Sequence, residues 1–171
     1  MTIRLAALAD LPRIHKLYDI GRAYMRSTGN MNQWINGYPQ QEILEQDIKK
    51  QQMFVFEDHT GLHGVFAFIL GEDPTYGYID GAWPNNKPYG TIHLIASDGT
   101  VKGAVARAKE FAMQYTDEIR VDTHHDNHTM QHVVQKNGFC RCGIIYLENG
   151  DPRIAYQWSK DNAHEPLPCR V

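Results

Sequence analysis

The order of apolar patterns along this 171-residue chain predicts a single α/β domain with a mixed β-sheet flanked by helices. Short apolar segments and amphipathic helical patterns follow one another in the order β-α-α-β-β-β-α-β-α-β-β. Some successive strands are joined by turns and others by a helix, so the sheet is expected to contain both antiparallel and parallel pairs. No repeat or linker divides residues 1–160, and the polar residues 161–171 are expected to form a tail.

The first part of the chain predicts one strand and two helices. Residues 2–6 have the pattern of a short strand. Asp10 is expected to cap the first helix, which carries Pro12 in its first turn and ends near Gly29. A second helix is predicted from about Gln41 to Lys50, because its apolar residues recur at helical spacing.

A β-hairpin and a long loop follow. The segments Met53–Phe56 and Gly64–Leu70 are separated by a turn-rich sequence, which predicts two antiparallel strands. Residues 71–87 are rich in Gly, Pro, Asn and aromatic residues. This composition predicts a surface loop bordering a pocket, with room for a short strand around Tyr78 and Ile79.

The second part alternates strands with helices. The strand Tyr89–Ser97 leads into an amphipathic helix, and the strand Ile119–Thr123 leads into another. Asp126 or Asn127 is expected to cap that last helix, and Gly138 to end it.

The chain is expected to close with a hairpin. The strands Phe139–Leu147 and Arg153–Trp158 flank the sequence Asn149-Gly150. An Asn-Gly pair accepts the positive φ angles of a tight turn, so a short connection is predicted.

Composition excludes several classes of partner. The chain has 17 Lys and Arg residues against 20 Asp and Glu residues, and its basic residues are scattered, so no nucleic-acid partner is expected. Arg4, Asp10 and Arg13 interrupt any apolar leader, and no apolar run reaches membrane-spanning length. The chain has three cysteines, an odd number, which favours reduced thiols. Together these features predict a cytoplasmic protein with no membrane partner.

One segment suggests a site for a phosphate-bearing cofactor. Residues 91–112 form an apolar strand, a loop with Gly99 and Gly103, and an amphipathic helix. A helix N-terminus offers unpaired N–H groups and a positive dipole end, and Lys102 adds a cation. A purely structural βα connection has the same pattern, so both interpretations stay open.

These elements together resemble the GNAT superfamily of N-acetyltransferases, over most of residues 2–158. The family's phosphate-loop pattern matches best at Thr100–Val105, where the central Gly103 is retained. Asp126-Asn127, Met130 and the segment Lys136–Phe139 resemble the family's Asn-led helix that closes with Gly-Phe before a strand. The resemblance implies a GNAT-like, splayed sheet and acetyl transfer from acetyl-CoA to a primary amine, with no metal required.

The resemblance also implies which residues meet acetyl-CoA. The backbone of one strand would pair with the pantetheine arm, the loop and helix start would hold the pyrophosphate, and the Asn-led helix would lie beside the arm. In that order these residues are Leu94, Ile95 and Ala96; Val101, Lys102, Gly103, Ala104 and Val105; Asn127 and Met130.

Acyl transfer to an amine benefits from a base, and His93 is the first candidate because its strand lies beside the expected thioester. A structural histidine is the alternative. Many family members carry a Tyr acid at the position of Val134. Tyr146 or water could replace it, or the chain could bind acyl-CoA without turnover. His124 could line the pocket or relay a proton, oriented by Asp122.

Four aromatic residues in loops are candidates for the acceptor pocket, where they would suit an apolar or cationic amine of a small molecule or peptide. Packing of the loops themselves is the alternative. These residues are Trp34, Tyr38, Tyr76 and Trp83.

Four histidines close in sequence raise the question of a metal site. His128 and His132 lie one turn apart on the predicted helix, with His124 and His125 before it. Two helical ligands without a third favour a solvated face, so no metal site is predicted. A homodimer through an exposed sheet edge or the terminal hairpin is compatible with the pattern.

Overall fold

The computed structural model describes residues 1–162, which form four helices and eight strands. The helices are α1 (Leu11–Ser27), α2 (Gln41–Lys49), α3 (Ala104–Ala112) and α4 (His128–Lys136). The strands are β1 (Thr2–Leu5), β2 (Met53–Asp58), β3 (Gly61–Leu70), β4 (Asp80–Gly81), β5 (Gly90–Ser97), β6 (Glu118–Thr123), β7 (Cys140–Tyr146) and β8 (Pro152–Ser159).

All eight strands belong to one sheet in the order β1-β2-β3-β5-β6-β8-β7-β4. Every neighbouring pair is antiparallel except β5 and β6, which are parallel. The predicted mixed α/β sheet is therefore confirmed. The difference from the prediction is β4, which adds an eighth strand and lies at Asp80–Gly81 rather than at Tyr78 and Ile79.

The sheet is splayed between β5 and β6. Their ladder contains only the pairs Gly90–Ile119 and Thr91–Arg120, among the residues described. Further along β5 the ladder to β3 has a bulge, and Leu94 there has a left-handed φ of 53°. The Tyr18 hydroxyl of α1 donates to the Leu94 carbonyl oxygen at 2.9 Å. The bulge and the short ladder together leave a gap beside the second half of β5.

The two faces of the sheet carry different helices. On β2, side chains alternate, so that Val55 packs beneath α1 and α2 while Phe54 and Phe56 pack on the other face with α3. Ile14, Leu17 and Tyr18 of α1 and Leu44 and Ile48 of α2 are buried on the first face. Val105, Ala108 and Ala112 of α3 and Val134 of α4 are buried on the second. The helices therefore cover both faces and leave the sheet's splayed end between them.

Two local predictions need correction. Asp10 precedes α1, but its carboxylate accepts from the Ala7 amide at 2.8 Å and from Arg4 instead of capping that helix. At the last hairpin only Gly150 has a positive φ, 87°, while the Asn149 side chain accepts from the Asp151 amide at 3.0 Å. The predicted hairpin is therefore confirmed, but only one residue of its Asn-Gly pair, Gly150, takes a positive φ.

The end of the described chain bears on the predicted tail. Lys160–Asn162 form a short 3₁₀ turn that follows β8. The rest of the predicted tail, 163–171, lies outside the described residues. Within residues 1–162, no helix combines the length and apolar character needed to cross a bilayer.

Candidate active site

A cavity of about 550 Å³ opens where the sheet splays. Its walls come from β5, the end of β6, the start of α4, α2, the loop between α1 and α2, the loop after β3 and the β7–β8 connection. The lining residues include Gln33, Trp34, Tyr38, Ile43, Asp47, Asp73, Ile92, His93, Leu94, Ile95, Asp122, Thr123, Asn127, Met130, Asp151 and Arg153.

His93 of β5 lies in this cavity between two carboxylates. Its Nε2 donates to Asp73 Oδ2 at 3.1 Å, and its Nδ1 lies 3.8 Å from Asp122 Oδ2. Asp73 is held in place because its Oδ1 accepts from the amide and hydroxyl of Thr75 at 2.8 and 2.7 Å. The Tyr76 hydroxyl donates to Asp122 Oδ2 at 2.6 Å. Both carboxylates therefore have fixed positions on either side of the imidazole.

This arrangement changes the proton affinity of His93. Burial disfavours the charged imidazole, but the hydrogen bond to Asp73 and the charges of Asp122, Asp73 and Asp47 outweigh it and raise the pKa of His93. Burial likewise opposes ionisation of Asp73, yet hydrogen bonds from His93 and Thr75 lower the pKa of Asp73 to about 2. With Nε2–H bonded to Asp73, neutral His93 offers Nδ1 as a proton acceptor, and the imidazolium that results is stabilised.

A chain of side-chain amides fixes the orientation of Gln33. The Met130 amide donates to Asn127 Oδ1 at 3.0 Å, so Asn127 Nδ2 must act as the donor to Gln33 Oε1 at 2.9 Å. Asn30 Nδ2 donates to the same oxygen at 2.9 Å. Gln33 Nε2, which has no partner among the described residues, therefore remains as a donor in a cavity-lining side chain.

Asp47 of α2 is the carboxylate of the cavity that lacks a partner. Its carboxylate forms no hydrogen bond or ion pair with any residue in 1–162, although the charges of Lys50 and His93 attract it. Burial raises the pKa of Asp47, and burial also raises the pKa of Tyr38 in the same wall. Asp47 and Gln33 were not among the residues predicted for the site. A lone Asp on an amphipathic helix has the same pattern as a solvated residue, so no sequence signal separates the two cases.

The loop before α3 is anchored at its start. The Asp98 carboxylate accepts from the Thr100 amide at 3.0 Å and contacts Arg13 at 2.6 Å and His63 at 3.0 Å. Gly103 has a left-handed φ of 67° immediately before the helix, where a Cβ would meet only Ala106 at 3.8 Å. The first N–H groups of α3 have no intrahelical acceptor, so the loop and helix start can receive an anion.

The predicted cofactor residues occupy several environments. Leu94, Ile95, Asn127 and Met130 line the cavity, whereas Ala96 is buried against α1 and its neighbours. Around Gly103, Val101 and Val105 are buried in the core beneath α3, Ala104 packs against that core, and Lys102 is exposed. Only the backbone of the buried residues, together with Lys102, can therefore face a bound phosphate.

The predicted acceptor aromatics divide into two pairs. Trp34 and Tyr38 line the cavity, and the Trp34 ring packs edge-on against the buried Tyr18 at 5.4 Å. Tyr76 and Trp83 are instead packed together in a small core cluster, with their ring centroids 5.2 Å apart. Neither ring lines the cavity, because the part of the long loop that carries them packs onto β7 and β8, whereas Asp73 and Thr75 of the same loop do line it.

Two of the predicted catalytic residues also lie outside the cavity lining. Tyr146 is 42% exposed at the end of β7, with its ring 6.2 Å from that of Tyr78. His124 is buried, and its Nδ1 accepts from the Asp126 amide at 3.1 Å. Burial lowers the pKa of His124. Asp122 faces His93 and not His124, so the pairing considered for His124 is not formed.

The four histidines lie in two groups. His128 and His132 are exposed on α4. His124, His125 and Asp126 bring ligand atoms within 4.8 Å of one another, but Asp126 already accepts from Asn32 at 3.1 Å and contacts His125 at 3.0 Å.

Comparisons with protein-family models and with curated proteins gave no match. Solved structures do match. A GNAT-family acetyltransferase from Streptococcus agalactiae 2603 is 32% identical, with 93% of this chain and 95% of that chain covered and a TM-score of 0.81. A GNAT-family acetyltransferase from Listeria monocytogenes 4b F2365 (22% identity, 92% and 94% covered, TM-score 0.68) and a ribosomal-protein-alanine N-acetyltransferase from Brucella melitensis (16%, 93% and 99%, 0.58) share the fold.

Fold and site define an α/β protein whose splayed mixed sheet opens onto a cavity with His93 and several carboxylates in its wall. The likeness to the streptococcal protein extends over nearly the whole of both chains. The chain belongs to the GNAT family of acetyltransferases.

Proposed function

We propose that this protein transfers the acetyl group of acetyl-CoA directly to a primary amine. The observation that carries the proposal is His93, which lines the cavity beside the bulge at Leu94, with Nε2 bonded to Asp73 and Nδ1 available. A base at this place can take a proton from an amine that enters between β5 and α2.

Three features suit the residues of this chain to acetyl-CoA. The β5–β6 ladder stops after two pairs, so the second half of β5 can pair with an extended arm. Gly103 and the start of α3 can receive phosphate groups, and Lys102 adds a positive charge. When bound, acetyl-CoA supplies the activated acetyl group as a thioester.

The reaction needs no covalent enzyme intermediate. The neutral amine nitrogen attacks the thioester carbonyl carbon, so that a C–N bond forms and the C–S bond breaks. His93 Nδ1 takes the proton that the nitrogen loses, and the CoA thiolate leaves. The two carboxylates beside His93 stabilise the imidazolium formed in this step.

The proton that the CoA thiolate takes up cannot come from position 134 of α4. Val134 is a buried aliphatic side chain with no proton to donate, so the acid that the resemblance implies at this position is absent. In this proposal water or the His93 imidazolium protonates the thiolate. The same feature favours a second candidate, a module that binds acyl-CoA without turnover.

Calorimetry and thiol release separate these two functions. The purified protein is titrated with acetyl-CoA, with CoA and ATP as controls for simple attraction of phosphate. We expect saturation at one acetyl-CoA per chain and amine-dependent release of free thiol. Binding without thiol release across a screen of primary amines would favour the binding module, and no binding at millimolar acetyl-CoA would reject both.

A further inference from the structure

The wall of the cavity is acidic. Four carboxylates line it against one guanidinium and the imidazole of His93: Asp47, Asp73, Asp122 and Asp151 against Arg153. Arg153 makes no ion pair with any described carboxylate and donates to its neighbouring Pro152 carbonyl oxygen at 2.8 Å. The field inside the cavity therefore favours a ligand with positive charge.

These carboxylates are not equally occupied. Asp73 and Asp122 are bonded to His93 and Tyr76, and Asp151 accepts from Asn149 Nδ2 at 3.2 Å. Asp47 is partly buried and has no such partner within residues 1–162. Asp47 is therefore the one of these four carboxylates that makes no hydrogen bond or ion pair within residues 1–162, although the charges of Lys50 and His93 attract it. Partial burial makes an ionised carboxylate costly unless a partner binds it.

The surroundings of Asp47 suit an alkyl ammonium group. Trp34, Tyr38 and Ile43 line the cavity together with it. Aromatic ring faces attract a cation, and Ile43 offers contact to methylene groups. Lys50, three residues after Asp47, attracts the carboxylate electrostatically but forms no ion pair with it. The Asp47 carboxylate thus lacks a direct contact partner within residues 1–162, which a ligand can supply.

We infer that the acceptor is an alkyl diamine or polyamine, whose second ammonium group pairs with Asp47 while the reacting amine lies at His93. This inference rests on the proposed acetyl transfer and names the acceptor class of the same site. The reacting nitrogen is neutral when it attacks, and the distal nitrogen stays protonated throughout.

Two amines of equal carbon number test this inference on the unmodified protein. Putrescine carries the second ammonium group, and n-butylamine lacks it. We expect kcat/KM for putrescine to be about tenfold higher at low ionic strength, and the gap to narrow as salt is added. Equal values for the two amines would overturn the inference.

A pair of variants locates the charge. The Asp47 charge also raises the pKa of His93, so both amines are compared at a pH where His93 is neutral. Asp47→Asn is then expected to raise KM for putrescine about tenfold and to change KM for n-butylamine much less, because only the diamine pairs with the carboxylate. Glu42→Gln, which removes an exposed carboxylate on the same helix outside the cavity lining, is the matched control and should change neither. An equal loss for both amines in Asp47→Asn would contradict the assignment.

A binding measurement distinguishes failure of this inference from failure of the proposed function. If acetyl-CoA binds but neither amine releases thiol, the proposed transfer fails. Putrescine is then titrated calorimetrically into the CoA-saturated protein. Binding that Asp47→Asn weakens about tenfold would still support an acidic subsite, whereas no binding to the unmodified protein would overturn it.

Discussion

The two ends of strand β6 bury polar groups in opposite ways. At its start, the Arg120 guanidinium lies between the rings of Trp83 and Tyr89, 3.8 Å from each centroid, and Nε donates to Gln157 Oε1 at 2.8 Å. Gln157 in turn donates to Glu118 Oε2 at 2.7 Å. Each polar group at this end helps to hold another.

The network continues to Glu118, whose Oε1 is buried without a hydrogen bond from any described residue. Ser159 also donates to Oε2, and Oε1 lies 3.7 Å from Lys87 Nζ. Both charged side chains at this end therefore face an opposite charge or aromatic rings. This network ties the loop that carries Lys87 to the middle of the sheet.

At the other end of β6, polar groups are left with unused capacity. Gln33 Nε2 and the Asp47 carboxylate have no partner among the described residues, and His93 Nδ1 is free of a hydrogen bond. Interlocked hydrogen bonds make a polar network rigid, whereas polar groups that line a cavity without a partner are available to a ligand. The difference indicates that the first end serves stability and the second serves a ligand.

Removing the base His93 should cause the largest loss of activity at the cavity end of β6. In His93→Gln, kcat for thiol release is expected to fall about 100-fold or more, since general base catalysis contributes that much. Acetyl-CoA affinity, measured by calorimetry, should change little. A variant that keeps its rate would show that His93 is a structural histidine.

Removing the Arg120 guanidinium at the start of β6 should lower the stability of the fold. Arg120→Met is expected to lower the free energy of unfolding by about 3 kcal/mol, because Gln157 loses its partner and the paired rings lose the cation between them. Urea unfolding measures this change. Acetyl-CoA affinity of the folded variant is the control, and its loss would mean that the two ends are coupled.

The loop before α3 can be tested with two substitutions at one position. Gly103→Ala and Gly103→Val both strain a left-handed residue, but valine adds a branched side chain where phosphate is expected. We expect acetyl-CoA affinity to fall about tenfold more in Gly103→Val than in Gly103→Ala, measured by calorimetry. Equal affinities would remove this loop from the proposed site.

The smallest expected effect is a shift of the pH profile. The raised pKa of His93 means that the rate should rise with pH through a midpoint above 6.5, as the imidazole loses its proton. Asp73 has a pKa of about 2 and stays ionised over this range. Asp73→Asn removes that charge, so the midpoint of kcat/KM should move to lower pH. An unmoved midpoint would assign the titration to another group.

Periodic elements were predictable because local pattern and packing agree. The Asn127 cap is an example, since its side-chain oxygen Oδ1 accepts from the Met130 amide as a helix start requires. The prediction assigned Asn127 to the cofactor arm, but its amide also holds Gln33, which lies 94 positions away along the chain. A contact over that separation depends on the fold and leaves no local signal.

The long loop after β3 shows the same limit. Its aromatic residues have no periodicity that tells a pocket wall from a packed cluster, so Tyr76 and Trp83 were misassigned. The turn at Asp73 has a recognisable sequence, an Asp followed by Pro and Thr, and its side chain does cap that turn. Its second role, the bond to His93, follows only from the way the loop crosses β5.

The short ladder between β5 and β6 also affects how the molecule can move. On the α3 face the two half-sheets share one core, in which Ile92 packs with Ile119 and Val121, and on the other face they part at the cavity. The shared core holds the two half-sheets together on one face, while few hydrogen bonds join them on the other. A change in cavity width therefore breaks fewer backbone hydrogen bonds here than elsewhere in the sheet. A cofactor arm paired along β5 would restrain that change.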